Sequence, residues 1–171
     1  DFFDPGTGSD IVKGGSGTDT ASYISQKSAV SIKTSTKSKE INVTNSTESW
    51  TDKLSDIEIL RTWGGSNHTL TNAKRSSTQG HGYTVQTGAT GTTKGSQYDD
   101  KLLISYASNY NTDPAKTTLK KATIVDGQKG KDSLLIDGLA AHIKSGQTFR
   151  LTYSDNSKSR GFITKTTNSG N

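Results

Sequence analysis

Two nine-residue units stand in tandem near the start of the chain. From Pro5 the first reads Pro-Gly-Thr-Gly-Ser-Asp-Ile-Val-Lys, and from Gly14 the second reads Gly-Gly-Ser-Gly-Thr-Asp-Thr-Ala-Ser. Their shared skeleton is x-G-x-G-x-D-x-U-x, with U apolar. The glycine-rich half suits a tight turn through positive φ, which residues with a Cβ resist. The other half suits a short strand whose apolar residue, two positions after the Asp, points inward. A chain built from such units gains a core by stacking them, each contributing a few inward side chains. The Asp places a hard oxygen ligand beside the carbonyls that the turn exposes, which is the all-oxygen chemistry that calcium prefers.

Composition favours stacked units over one large core. Only 27% of the 171 residues are hydrophobic and the mean hydropathy is −0.72. Such values also suit disorder, but recurring β-type segments and two tryptophans oppose that. The chain has no Cys, which excludes disulfides and thiolate metal sites. It has no Met even at position 1, which points to a fragment or processed product. No stretch approaches the roughly 20 apolar residues of a membrane span, and no signal peptide is visible.

Beyond the tandem units, Ala29-Val30-Ser31-Ile32-Lys33 alternates with a period of two, and Tyr23, Val30, Ile32, Ile41 and Val43 are inward candidates. Lys33 to Glu40 reads as a turn, and residues 72–97 as loops or short edge strands. Residues 107–118 read as a polar loop around Asp113-Pro114, Ala140 to Lys144 as a helical turn or two, and Thr148–Tyr153 with Gly161–Thr164 as a hairpin.

The tandem skeleton resembles the G-G-x-G-x-D-x-U-x nonapeptide of the RTX (hemolysin-type calcium-binding) family. The second copy matches every fixed position, with Ala21 a weak apolar residue, and the first has Pro5 in place of one glycine. Asp52-Lys53-Leu54-Ser55-Asp56-Ile57-Glu58-Ile59-Leu60 is similar to the D-x-L-x-x-I-E-x-L segment that follows nonapeptide blocks in that family. Gly64-Gly65-Ser66-Asn67-His68-Thr69-Leu70 then resembles a G-x-x-x-N-D-x-L unit with His68 in place of Asp. Weaker copies run from Gly95 to Leu103 and from Gly127 to Leu135, the latter with Gln128 replacing the second glycine.

The resemblance implies a parallel β-roll whose turn carbonyls and Asp side chains sandwich calcium ions, in an exported protein. Carried over position by position, the implied ligands are Gly6, Gly8, Asp10, Gly15, Gly17, Asp19, Asp100, Gly127, Gly130 and Asp132. The nine-residue period survives only at the start, which excludes a long regular roll. The expected fold is all-β: an irregular parallel β-roll or β-solenoid-like body, or a β-sandwich-like one, with a β-rich C-terminal part. Two parts are expected, 1–71 with the repeats and the Asp52–Leu60 segment, and 72–171 with the degenerate units.

Function divides three ways. The first expectation is an extracellular or cell-surface structural or adhesive module, folded and stiffened by calcium and able to self-assemble or stack on neighbouring repeats. The second is a basic module for acidic polysaccharide, since the net charge is +5 and the sequence pI about 9.3. No nucleic-acid-binding motif accompanies that charge. The third is a secretion or folding module of an exported hydrolase. The chain itself carries no G-x-S-x-G or H-E-x-x-H motif, and His68, His81 and His142 lack metal-like spacing, so no catalytic residue is expected. Asp56 and Glu58 read as a solvated pair. Three sequons, beginning at Asn42, Asn45 and Asn67, arise readily in so Ser/Thr/Asn-rich a chain.

Overall fold

The structure is a computed structural model, and it describes residues 1–35, 39–71, 81–106 and 123–137. The chain divides into two compact units, Asp1–Asp137 and Gly138–Asn171, and all described residues lie in the first. The expected 107–118 loop, the Ala140–Lys144 turn and the 148–164 hairpin fall outside the described residues.

Thirteen strands run through the described part, with no helix among the described residues. In chain order they are β1 (Phe2–Phe3), β2 (Ile11–Lys13), β3 (Thr20–Ser22), β4 (Ser31–Thr34), β5 (Ile41–Asn45), β6 (Trp50–Ser55) and β7 (Ile59–Thr62). They continue with β8 (Asn67–Thr69), β9 (His81–Gly88), β10 (Gly91–Lys94), β11 (Asp99–Ser105), β12 (Thr123–Asp126) and β13 (Ser133–Asp137). One sheet has six strands in the order β1-β3-β7-β9-β11-β13, paired parallel throughout. The other has seven in the order β12-β10-β8-β4-β5-β6-β2, parallel except for the antiparallel run β4-β5-β6. From β6 onward, successive strands alternate between the two sheets. The all-β expectation therefore holds.

Alternation of side chains explains why the strands fit. In the six-stranded sheet, register stacks Phe3, Ala21, Leu60, Val85, Leu102 and Leu134 in one column, whose middle members Ala21, Leu60, Val85 and Leu102 are buried. In the seven-stranded sheet, Leu54 and Ile41 are opposed, as are Val43 and Ile32 on the same face. The core contains Tyr23, Val30, Ile32, Ile41, Val43, Leu54, Ile57, Leu60, Leu70 and Val85, all nearly inaccessible to solvent. All five inward candidates named from the sequence are among them. Tyr23 stacks on Trp50 with ring centroids 6.0 Å apart, filling the space beneath the antiparallel insert.

One expectation is corrected. Residues 72–97 were expected to be loops or short edge strands, but β9 is an eight-residue interior strand held by β7 and β11. Its Tyr83, Val85 and Thr87 are buried, and β-branched Thr replaces aliphatic residues without loss of strand geometry. The sheets also continue across position 71/72, through β7–β9 and β8–β10.

Candidate functional site

The glycine-rich turns repeat one backbone conformation. Gly6 and Gly8 have φ of 77° and 115°, Gly15 and Gly17 of 89° and 117°. The copy that begins at Gly127 adopts the same pattern at Gln128 (70°) and Gly130 (113°), so Gln128 occupies a conformation that disfavours side chains. The first glycine of a unit serves packing instead. A Cβ on Gly14 would strike the Asp56 carbonyl and the Asp19 side chain, one on Gly95 the Asp100 carboxylate, and one on Gly127 the Asp132 carboxylate. In each unit the Asp five residues later folds back over that glycine.

Register then aligns the acidic residues. Phe2, Thr20, Ile59, Thr84, Lys101 and Ser133 share one column of the six-stranded sheet. The residues just before them are Asp1, Asp19, Glu58, Tyr83, Asp100 and Asp132. A bulge at Gly82–Tyr83, opposite Asp100, interrupts the carboxylates. The remaining five line one edge of the sheet.

Three of the five carboxylates accept from a backbone amide of the neighbouring rung. Glu58 Oε2 accepts from the Asp19 N–H at 2.9 Å, and Asp132 Oδ1 from the Asp100 N–H at 2.9 Å. Asp100 Oδ1 accepts from the Tyr83 N–H and Oδ2 from the Ser96 N–H, both at 2.6 Å, while the Ser96 hydroxyl donates to the same carboxylate. On the other side of the body, Asp52 accepts from the Asp10 N–H at 2.8 Å and from the Tyr23 hydroxyl at 2.9 Å. Apart from the local Ser96–Asp100 contacts, these bonds join residues 17 to 42 apart in sequence, and they pair backbone amides that need a partner.

Burial sets the electrostatics. It pushes the Asp52 and Asp100 carboxyls above the usual range, their hydrogen bonds pulling the other way. Burial, reinforced by Asp52, also raises the Tyr23 hydroxyl. His68 is 1% exposed, with its ring nitrogens each 3.0 Å from a hydroxyl, Thr62 Oγ1 at Nε2 and Thr93 Oγ1 at Nδ1. Burial lowers its pKa from 6.5 to about 4. The ring is a neutral structural crosslink between the two sheets.

Comparison with protein-family models, curated proteins and solved structures gives no match.

The positions implied to ligate calcium separate accordingly. Asp10 and Asp19 stand in the two tandem units but precede strands of different sheets, so their turns do not stack on one another. Gly6 offers a carbonyl that already accepts from the Gln26 side-chain amide. Asp100 and Asp132 lie on adjacent rungs, but Asp100 has both oxygens occupied. Among the described carboxylates, Asp19 is the one with a buried oxygen that lacks a partner. Its carboxylate is 1% exposed, Oδ1 meets the Asp1 ammonium at 2.5 Å, and Oδ2 is buried without a hydrogen-bond partner. An unpartnered buried carboxylate oxygen is costly, and Gly14 packs directly against this side chain. Among the described residues no three Asp, Glu or His side chains converge on one point, so further oxygens there would come from backbone and water.

Sequence reading missed the capping carboxylates Asp52 and Glu58. Glu58 is not a freely solvated partner of Asp56, because it holds the Asp19 amide. The signal was present in the D-x-L-x-x-I-E-x-L segment, whose Leu54, Ile57 and Leu60 are core residues. Asn45, in one sequon, is buried and donates to Ser28 Oγ at 2.9 Å.

Proposed function

We propose that this chain is a non-catalytic structural module of an extracellular surface protein, an irregular parallel β-roll extended by stacking one coil on the next. The observation that carries the reading is the column of carboxylates along one edge of the six-stranded sheet, in which Glu58, Asp100 and Asp132 each hold a backbone amide of the rung beside them. That column lets a chain poor in apolar residues hold its coils together through charge-assisted hydrogen bonds. Its resemblance to RTX repeats supports calcium as the ion that completes the column where an oxygen lacks a partner. In this reading Asp19 and the carbonyls of the Gly14–Gly17 turn hold the ion, while Asp52, Glu58 and Asp100 do with hydrogen bonds what ions do in regular repeats. Calcium seeks 6–8 oxygens at roughly 2.3–2.6 Å, and water completes the shell. Ion binding then becomes folding free energy.

The test is calcium titration by calorimetry of the wild type and of Asp19→Asn. One binding event abolished by the substitution supports the reading. Undiminished binding in the variant places the ion elsewhere and sinks the assignment to Asp19. Absence of binding in the wild type removes calcium from the function.

A further inference from the structure

The outer face of the seven-stranded sheet carries a pattern that the calcium turns do not use. Register places Lys94 (β10), Thr69 (β8), Lys33 (β4), Asn42 (β5) and Lys53 (β6) in one outward row. Lysine therefore recurs on every second strand. Neighbouring strands are about 4.8 Å apart, which sets these lysines roughly 9.5 Å from one another. The strands between them present Thr69 and Asn42, which donate and accept hydrogen bonds without charge. A second outward row, two residues away along the strands, reads Thr92, Asn67, Ser31, Thr44 and Thr51. It consists entirely of hydroxyls and one amide.

The three lysines are exposed, and no ion pair ties them to a described residue. Along the described strands of this face the outward charged groups are Lys13, Lys33, Lys53 and Lys94, with Asp126 beyond Lys94, and Glu40 stands just before β5. Such a face attracts a polyanion, and the spacing selects which kind. Duplex DNA carries a charge about every 1.7 Å along its axis, far denser than the lysine row. Binding of single strands draws on aromatic side chains under the bases, and no described outward residue of this sheet is aromatic. A linear polysaccharide with a carboxylate on alternate sugars has the sparse charge that matches, and its hydroxyls match the neighbouring row.

We propose that this face binds a linear acidic polysaccharide running across the strands, with carboxylates on Lys33, Lys53 and Lys94 and sugar hydroxyls on the Thr92–Thr51 row. The inference goes beyond the structural role and does not rest on calcium: loss of the ion effect leaves the lysine row intact, and loss of polysaccharide binding leaves the ion effect intact.

The experiment measures retention of the full chain on immobilised hyaluronan, dextran and duplex DNA at low and then rising salt. The buffer is one in which circular dichroism reports folded β-structure. The expected result is salt-sensitive binding to hyaluronan, none to dextran, and weaker binding to DNA. The K33Q/K53Q/K94Q variant should bind hyaluronan at least tenfold more weakly. K101Q, which removes an exposed lysine from the other sheet, should bind like the wild type. Equal binding by the triple variant, an equal loss in K101Q, tighter binding to DNA, or no retention on hyaluronan would each overturn the proposal.

Discussion

The His68 crosslink makes a pH prediction whose size follows from its surroundings. The imidazole is enclosed by the core and faces the hydroxyls of Thr62 and Thr93, with no carboxylate of the described residues against it. Its folded pKa is about 4, against 6.5 when unfolded. Above pH 6.5 both states are neutral, and the contribution of the neutral ring is fully present. As pH falls from 6.5 toward 4, the unfolded chain takes up a proton that the folded chain refuses, and stability drops. A gap of about 2.5 pH units at 1.36 kcal/mol each amounts to about 3 kcal/mol. Asp52 and Asp100 act with the opposite sign, because burial raises their pKa and the folded state gains protons before the unfolded one. Comparison with His68→Asn, which does not titrate in this range, cancels the aspartates. Urea unfolding of both proteins from pH 7 to pH 4 gives the difference directly. The advantage of the wild type over the variant should shrink by about 3 kcal/mol across that window, most of it below pH 6.5. A difference that stays constant from pH 7 to pH 4 would refute the placement of His68 in the core.

Other perturbations read other parts of the fold. Gly14→Ala drives a methyl group into the Asp56 carbonyl and should cost at least about 1–3 kcal/mol in chemical unfolding; an unchanged midpoint would show that the turn is open there. Gln128→Gly relieves a side chain at φ 70° and should raise stability by about 0.5–1 kcal/mol, read as a higher melting temperature. Tyr23→Phe leaves Asp52 Oδ2 without its buried donor and should destabilise by about 1–3 kcal/mol. Leu60→Ala, in the middle of the six-stranded sheet, should cost about 2–5 kcal/mol, and a smaller loss would place β7 at the surface.

Local chemistry was legible in the sequence, and long-range chemistry was not. Alternation named Tyr23, Val30, Ile32, Ile41 and Val43 as inward, because period-two patterning depends only on neighbours in sequence. The turn conformation of the tandem units was legible for the same reason. The capping bonds were not, because Asp52 lies 42 residues from Asp10 and Glu58 lies 39 from Asp19. Strand β9 was missed because Gly82, Gln86 and Gly88 dilute the strand signal of Tyr83, Thr84 and Val85 until β7 and β11 flank them. The row Lys94, Lys33 and Lys53 has no sequence period at all, and only register brings it into line.

The most direct measurement is thermal unfolding followed by far-UV circular dichroism, first in EDTA and then in millimolar calcium. A parallel β body whose carboxylate column is completed by an ion at Asp19 should hold β signal in both and melt clearly higher with calcium, and Asp19→Asn should lose that rise. Identical melting with and without calcium would contradict the ion's role and leave the glycine-Asp turns as hydrogen-bonded corners alone.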